Sequence, residues 1–155
     1  MKKLIIFYSY TGNTRKVAKY MAEKIGADIE EIKTDISYSS DYDKVVEDAK
    51  AEIREKRTPK IKDIAVNLDN YDTIILGTPV WWYSMAPAMR SFLSQHNLKG
   101  KKIYMFATNG GWLGHTFEDM KELLKGSDLQ STLNIPFDED RQRISNKKID
   151  EWLGV

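Results

Sequence analysis

Leu4-Ile5-Ile6-Phe7-Tyr8-Ser9-Tyr10-Thr11-Gly12-Asn13-Thr14 decides the fold. Its first residues are apolar or aromatic with no polar alternation. A strand built from them is covered on both faces, as central strands of a parallel sheet are. Hydroxyl residues and a glycine then interrupt the run, and Val17, Met21 and Ile25 follow at helical spacing. Strand, tight turn and helix make the opening half of a βαβ unit.

The alternation continues downstream. Thr73-Ile74-Ile75-Leu76 and Ile103-Tyr104-Met105-Phe106-Ala107 are further buried-strand candidates, and 28–33 and 130–135 are weaker ones. Apolar stripes at three- and four-residue spacing lie between them: Tyr42, Val45, Val46, Ala49 and Ile53; Met85, Met89, Phe92 and Leu93; Phe117, Met120, Leu123 and Leu124. A closing helix over 145–153 has Ser145 as its N-cap and turns Ile149, Trp152 and Leu153 to the core. Five βα units in series predict an α/β fold with a parallel sheet, right-handed crossovers and helices on both faces. The stretch 57–71 has no clear periodicity and is expected to approach the third strand irregularly. No internal repeat or low-complexity segment interrupts the pattern.

A length of 155 residues matches one domain, 1–155, at about 100–200 residues per domain. With 41% hydrophobic and 30% charged residues, the chain has material for a continuous core. Lys plus Arg number 24 and Asp plus Glu 23, a net charge of +1. No global field therefore draws the chain to nucleic acid or anionic lipid. Residues 28–72 hold 13 acids and 8 bases, −5, and the remainder is +6; such runs usually lie on solvated faces. The absence of cysteine removes thiolate nucleophiles and Cys-ligated metal, so redox chemistry needs a borrowed cofactor. The apolar run after Met1-Lys2-Lys3 is too short for a signal peptide, and none approaches the roughly 18 residues of a membrane span. A cytoplasmic location is expected.

Ligands of an open parallel sheet sit beyond the carboxyl ends of its strands. Ser9, Thr11 and Thr14 supply hydroxyls there, and Gly12 lets the backbone bend at a helix N-terminus whose N–H groups carry positive potential. The same residues suit an anion nest or an ordinary capped turn, and the loop has neither Walker A nor G-x-G-x-x-G spacing. The third strand ends in Gly77-Thr78-Pro79-Val80-Trp81-Trp82-Tyr83-Ser84-Met85-Ala86-Pro87, with three consecutive aromatics expected in an exposed loop. The fourth ends in Ala107-Thr108-Asn109-Gly110-Gly111-Trp112-Leu113-Gly114-His115. Two aromatic loops beside one anion nest suit a planar heteroaromatic with a phosphate tail. His96 is assigned no chemistry, and His115 is read as a residue at a helix N-terminus, with contact to a bound ligand as the alternative. Arg15 and Lys16 are expected to face solvent.

These loops resemble the flavodoxin-like family, and the likeness covers essentially the whole chain. Ser9-x-Thr11-Gly12-Asn13-Thr14 is similar to its phosphate loop. Gly77-Thr78-Pro79-Val80-Trp81-Trp82 with Ala86-Pro87 resembles small bacterial flavodoxins and flavoproteins that carry a Pro-x-Trp-Trp segment. The resemblance implies a three-layer α/β/α sandwich with a five-stranded parallel sheet of order 2-1-3-4-5. It also implies noncovalent FMN. Ser9, Tyr10, Thr11, Gly12, Asn13 and Thr14 are then expected around the phosphate. Thr78, Pro79, Val80, Trp81, Trp82, Tyr83 and Ser84 are expected along one face and edge of the ring, and Thr108, Asn109, Gly110, Gly111, Trp112 and Gly114 at its pyrimidine edge. Trp82 or Tyr83, then Trp112, is favoured to stack.

Two departures stand out. Family members that carry electrons are typically strongly acidic, and many have a glycine after the third strand whose peptide flips toward the reduced flavin. Here the charge is +1 and the loop reads Trp81-Trp82-Tyr83-Ser84. A bulky residue at positive φ is strained, so the flip is expected to be harder and the one-electron-reduced flavin less stabilised. The resemblance leaves two functions open. One is electron transport between redox partner proteins. The other is an oxidoreductase that uses NAD(P)H and FMN to reduce a small quinone, azo or nitro acceptor. Phosphorylatable receiver domains share the sheet order but need acids after the first strand and an aspartate after the third, where this chain has Ser9-Tyr10-Thr11 and Thr78-Pro79-Val80.

Overall fold

Strand β1 (Lys2–Phe7) splits its side chains between two cores: Leu4 and Ile6 join one buried cluster, Ile5 and Phe7 the other. That division is what period-two geometry makes of an unbroken apolar run. The structure is a computed structural model that describes residues 2–34, 44, 50, 51, 56 and 58–155. Its remaining parallel strands are β2 (Asp28–Glu31), β3 (Tyr71–Trp81), β5 (Lys102–Asn109) and β6 (Asp128–Asp138). Their order is β2-β1-β3-β5-β6 with every pairing parallel. This is the expected five-stranded order. Two short antiparallel strands extend it: β4 (Ser84–Met85) folds back on β3, and β7 (Arg141–Gln142) on β6.

Helices cover both faces. Ala88, Met89, Phe92 and Leu93 of α2 (Pro87–Gln95) and Phe117 and Met120 of α3 (Thr116–Glu122) join the cluster around Leu76, Ile103 and Met105. Val17, Ala18 and Met21 of α1 (Asn13–Ile25) and Ile149 of α4 (Asn146–Leu153) pack with Ile75, Phe106 and Ile135 on the other face. Ser145 caps α4 as expected, its hydroxyl accepting from the Lys148 N–H at 3.3 Å.

Some boundaries differ from the sequence reading. Met85 lies in β4, not in a helix, because α2 opens on Pro87, whose missing N–H and fixed φ suit a first helical position. Leu123 and Leu124 lie past the end of α3, although Leu124 is buried. The stripe Tyr42, Val45, Val46, Ala49 and Ile53 lies outside the described residues. The approach to β3 is irregular over its described part: a Thr34–Ile61 bridge, then a single 3₁₀ turn, Leu68–Asn70.

Candidate functional site

β1, β3 and β5 end on one rim. Gly12 caps α1 at φ 107°, a conformation that favours glycine. The buried Ser9 Oγ accepts from the N–H groups of Gly12 at 3.2 Å and Arg15 at 3.3 Å. The Thr14 and Thr108 hydroxyls meet at 2.8 Å and tie α1 to β5. Asn13 Nδ2 donates to the Glu139 carbonyl at 2.8 Å, across to the β6–β7 turn. Among the described residues, the N–H groups of Thr11, Asn13 and Thr14 have no partner. Three free donors at the positive end of a 13-residue helix can receive an anion. Arg15 turns instead to β2, where its guanidinium makes a forked pair with Glu31 at 2.9 and 2.6 Å. The hydrogen bonds that Arg15 donates to Glu31 raise its pKa above the ordinary value against the opposing effect of burial.

β3 runs past Leu76 to Trp81, and the chain reverses through Trp82 and Tyr83 into β4. Both turn residues have positive φ, 49° and 65°, as a two-residue hairpin matched to strand twist requires. The expected open loop is therefore an ordered hairpin, with bulky residues already in the left-handed region. The Tyr83 carbonyl accepts from the His115 N–H at 2.8 Å, and the Ser84 hydroxyl donates to Asp119 Oδ2 at 2.6 Å. Trp81 meets the rings of Tyr8 and Tyr10 edge-on, with centroids at 5.9 and 5.7 Å. The Lys50 ammonium stands 5.1 Å over the Trp82 ring. Thr78 is fully buried and braces the hairpin: its hydroxyl donates to the Pro79 carbonyl at 2.8 Å and accepts from the Ala86 N–H at 3.0 Å. In the third loop, Asn109 Oδ1 accepts from the Gly111 N–H at 2.9 Å, and its amide donates to Asn134.

A cleft of about 880 Å³ opens between these loops. Tyr10, Thr11 and Asn13 form one wall, Pro79, Val80, Trp81 and Trp82 another, and Thr108, Asn109 and Gly110 a third. Nine other predicted site residues do not line it. Ser9, Gly12, Thr14 and Thr78 stand behind the walls in the bonds described above. Tyr83 and Ser84 turn and anchor the hairpin, and Gly114 packs against Tyr83. Gly111 lies beyond the cleft, and Trp112 is 71% exposed.

Phe137, Glu139 and Asp140 also line the cleft and were absent from the sequence reading. They belong to the end of β6 and its turn into β7. The signal was available, since β6 parallels its neighbours and delivers its carboxyl end to the same rim. Pro136 hid it by ending the predicted strand at Ile135. At this sheet edge a missing N–H is tolerated.

A family model described as flavodoxin matches residues 2–153. The chain belongs to the flavodoxin family. The flavodoxin of Klebsiella pneumoniae is 23% identical over 184 aligned positions, covering 96% of this chain and 89% of that one. The crystal structure of a Lactobacillus acidophilus flavoprotein in complex with FMN covers 98% of both chains at 24% identity, with a TM-score of 0.79. A Bacteroides eggerthii protein described as a flavoprotein is 27% identical, covers 99% of this chain and 96% of its own, and gives 0.84. In this chain the cleft holds no cysteine and combines free N–H groups, hydroxyls, amides and indoles with two carboxylate side chains.

Proposed function

We propose that this chain binds FMN noncovalently in the cleft and carries electrons between redox partner proteins in the cytoplasm. One observation supports the reading most: Thr11 and Asn13, whose N–H groups are unpartnered among the described residues, and the indoles of Trp81 and Trp82 border the same cleft. A phosphate ester of a flat tricyclic ring needs that pairing of an anion seat and an aromatic wall. The volume is within the roughly 300–1,000 Å³ usual for small-ligand sites. FMN, when bound, supplies reversible one- and two-electron redox chemistry.

The remaining work falls to the chain. Thr11, Asn13 and Thr14 bind the phosphate through backbone N–H groups, and Tyr10 closes that end. Trp82 bears on the ring and excludes water from one face, each aromatic contact contributing about 0.5–1.5 kcal/mol beyond area burial. Asn109 and Gly110 face the ring's polar edge. Ser9, Gly12, Thr14 and Thr78 fix the loops that bear these contacts.

The purified protein should be yellow, with maxima near about 370 and 450 nm, and the apoprotein should quench FMN fluorescence at one equivalent. A colourless protein that quenches nothing would reject the reading. No helix among the described residues is long and apolar enough to cross a membrane.

A second reading, an NAD(P)H-dependent quinone, azo or nitro reductase, draws on the exposed aromatics Trp82, Tyr83 and Trp112 at the rim, which offer a flat acceptor a stacking surface. Mixing reconstituted protein with NADPH and a benzoquinone separates the two. Rapid flavin bleaching without a separate reductase would select the enzyme.

A further inference from the structure

Bulky residues stay in the left-handed region only where their surroundings over-determine it. Trp82 and Tyr83 do so at φ 49° and 65°, and a segment distant in sequence bonds to the turn. The His115 N–H donates to the Tyr83 carbonyl at 2.8 Å. Gly114 lies so close that a Cβ on it would stand 2.4 Å from the Tyr83 carbonyl oxygen and Cβ. Asp119 gathers the rest: its Oδ2 accepts from the buried Ser84 hydroxyl at 2.6 Å and from the His115 ring. A carboxylate only accepts, so Nδ1 of His115 is the donor. The Asp119 side chain is 24% exposed, so both bonds are charge-assisted and partly shielded from water. Gly114, His115 and Asp119 do not line the cleft, yet the hairpin they clasp carries Trp82, which does.

We infer that Asp119 is a positioning residue. By joining Ser84 and His115 on one oxygen it holds the Trp82–Tyr83 turn in its strained form, and so sets affinity for the ring of a bound flavin without touching it. The inference rests on the FMN-binding reading. It separates ring from phosphate, because the clasp acts on the indole wall and leaves the α1 N-terminus alone.

The test titrates wild-type, Asp119→Ala, Asp119→Asn and Ser84→Ala apoproteins with riboflavin and, separately, with FMN, following flavin fluorescence. Amide exchange at His115 is measured without flavin. Asp119→Ala should weaken both ligands by the same factor, roughly tenfold, as the loss of a charge-assisted hydrogen bond from the wall implies. His115 exchange should quicken in step. Ser84→Ala should shift all three readouts the same way by less, and decides the matter if Asp119→Ala does not fold. Asp119→Asn, which keeps an acceptor oxygen, should recover part of the loss. Faster exchange with unchanged riboflavin affinity would show an ordinary structural tie and overturn the inference, as would a loss confined to FMN. A wild type that binds neither flavin would refute the functional reading and the inference with it. Binding by wild type with unaltered variants would refute the inference alone.

Discussion

Gly114 and Gly26 share a backbone conformation but differ in surroundings, and replacing each by alanine separates strain from collision. Their φ angles are 60° and 66°. A Cβ on Gly26 meets nothing within 4 Å, whereas one on Gly114 would stand 2.4, 2.4 and 2.5 Å from Cβ, O and Cα of Tyr83. A left-handed alanine costs about 1–2 kcal/mol, and its reduced unfolded-state entropy returns about 0.4–1 kcal/mol. Gly26→Ala should therefore lose about 1 kcal/mol. Gly114→Ala adds a collision with a turn that is itself clasped, and overpacking of that kind costs about 1–3 kcal/mol, so its loss should be about 2–4 kcal/mol. Against a typical domain stability of about 5–15 kcal/mol both proteins remain folded and measurable. Urea denaturation of the pair gives the difference directly, with slopes checked for two-state behaviour. Equal losses would mean that the hairpin yields freely to the new methyl group, and the reasoning about a tightly held turn would be wrong.

Three further outcomes follow from the described contacts. Thr14→Val or Thr108→Val alone should cost about 1–3 kcal/mol by stranding the other hydroxyl, while the double substitution should cost less than the sum; additive losses in a denaturation cycle would refute the pairing. Tyr20 and Tyr71 donate to the carboxylates of Asp150 and Asp28, hydrogen bonds that raise both phenols above the ordinary 10.0. Above pH 10 the unfolded chain gives up protons that the folded chain keeps, so this stability is complete below pH 10 and drains away as pH climbs through the raised values. Tyr20→Phe and Tyr71→Phe should flatten that alkaline decline, and an unchanged slope would contradict the bonds. Gly77→Ala would place a Cβ 2.2 Å from Cζ of Phe106, so it should cost about 1–3 kcal/mol. Phe106→Leu in the same chain should recover part of that loss.

The unalternating runs 4–8, 73–76 and 103–107 disclosed the sheet's centre, because strands covered on both faces have no polar side. The strand order came through the resemblance of the loops. What stayed hidden depended on neighbours distant in sequence. Gly77-Thr78-Pro79 looked like a loop, yet β3 continues through it. Gly77 makes room for the Phe106 ring. Pro79 lies beyond the last pairing of β1 with β3, at Phe7–Gly77, where that side of β3 needs no N–H donor. Trp82-Tyr83 carries none of the Asn-Gly chemistry that marks a two-residue hairpin; tertiary bonds from His115 and Asp119 impose the turn instead. At the candidate site, Tyr10, Thr11 and Asn13 were legible from their place at a strand end. The retreat of Ser9 and Thr14 behind the wall follows from bonds to Gly12, Arg15 and Thr108, of which only the first two lie nearby in the chain.

A crystal structure of the protein grown with excess FMN tests the central claim most directly. The account predicts phosphate oxygens within hydrogen-bond distance of the Thr11, Asn13 and Thr14 N–H groups and the ring lying against Trp82. Phosphate held elsewhere, or a ring that leaves the Trp82 face untouched, would contradict it.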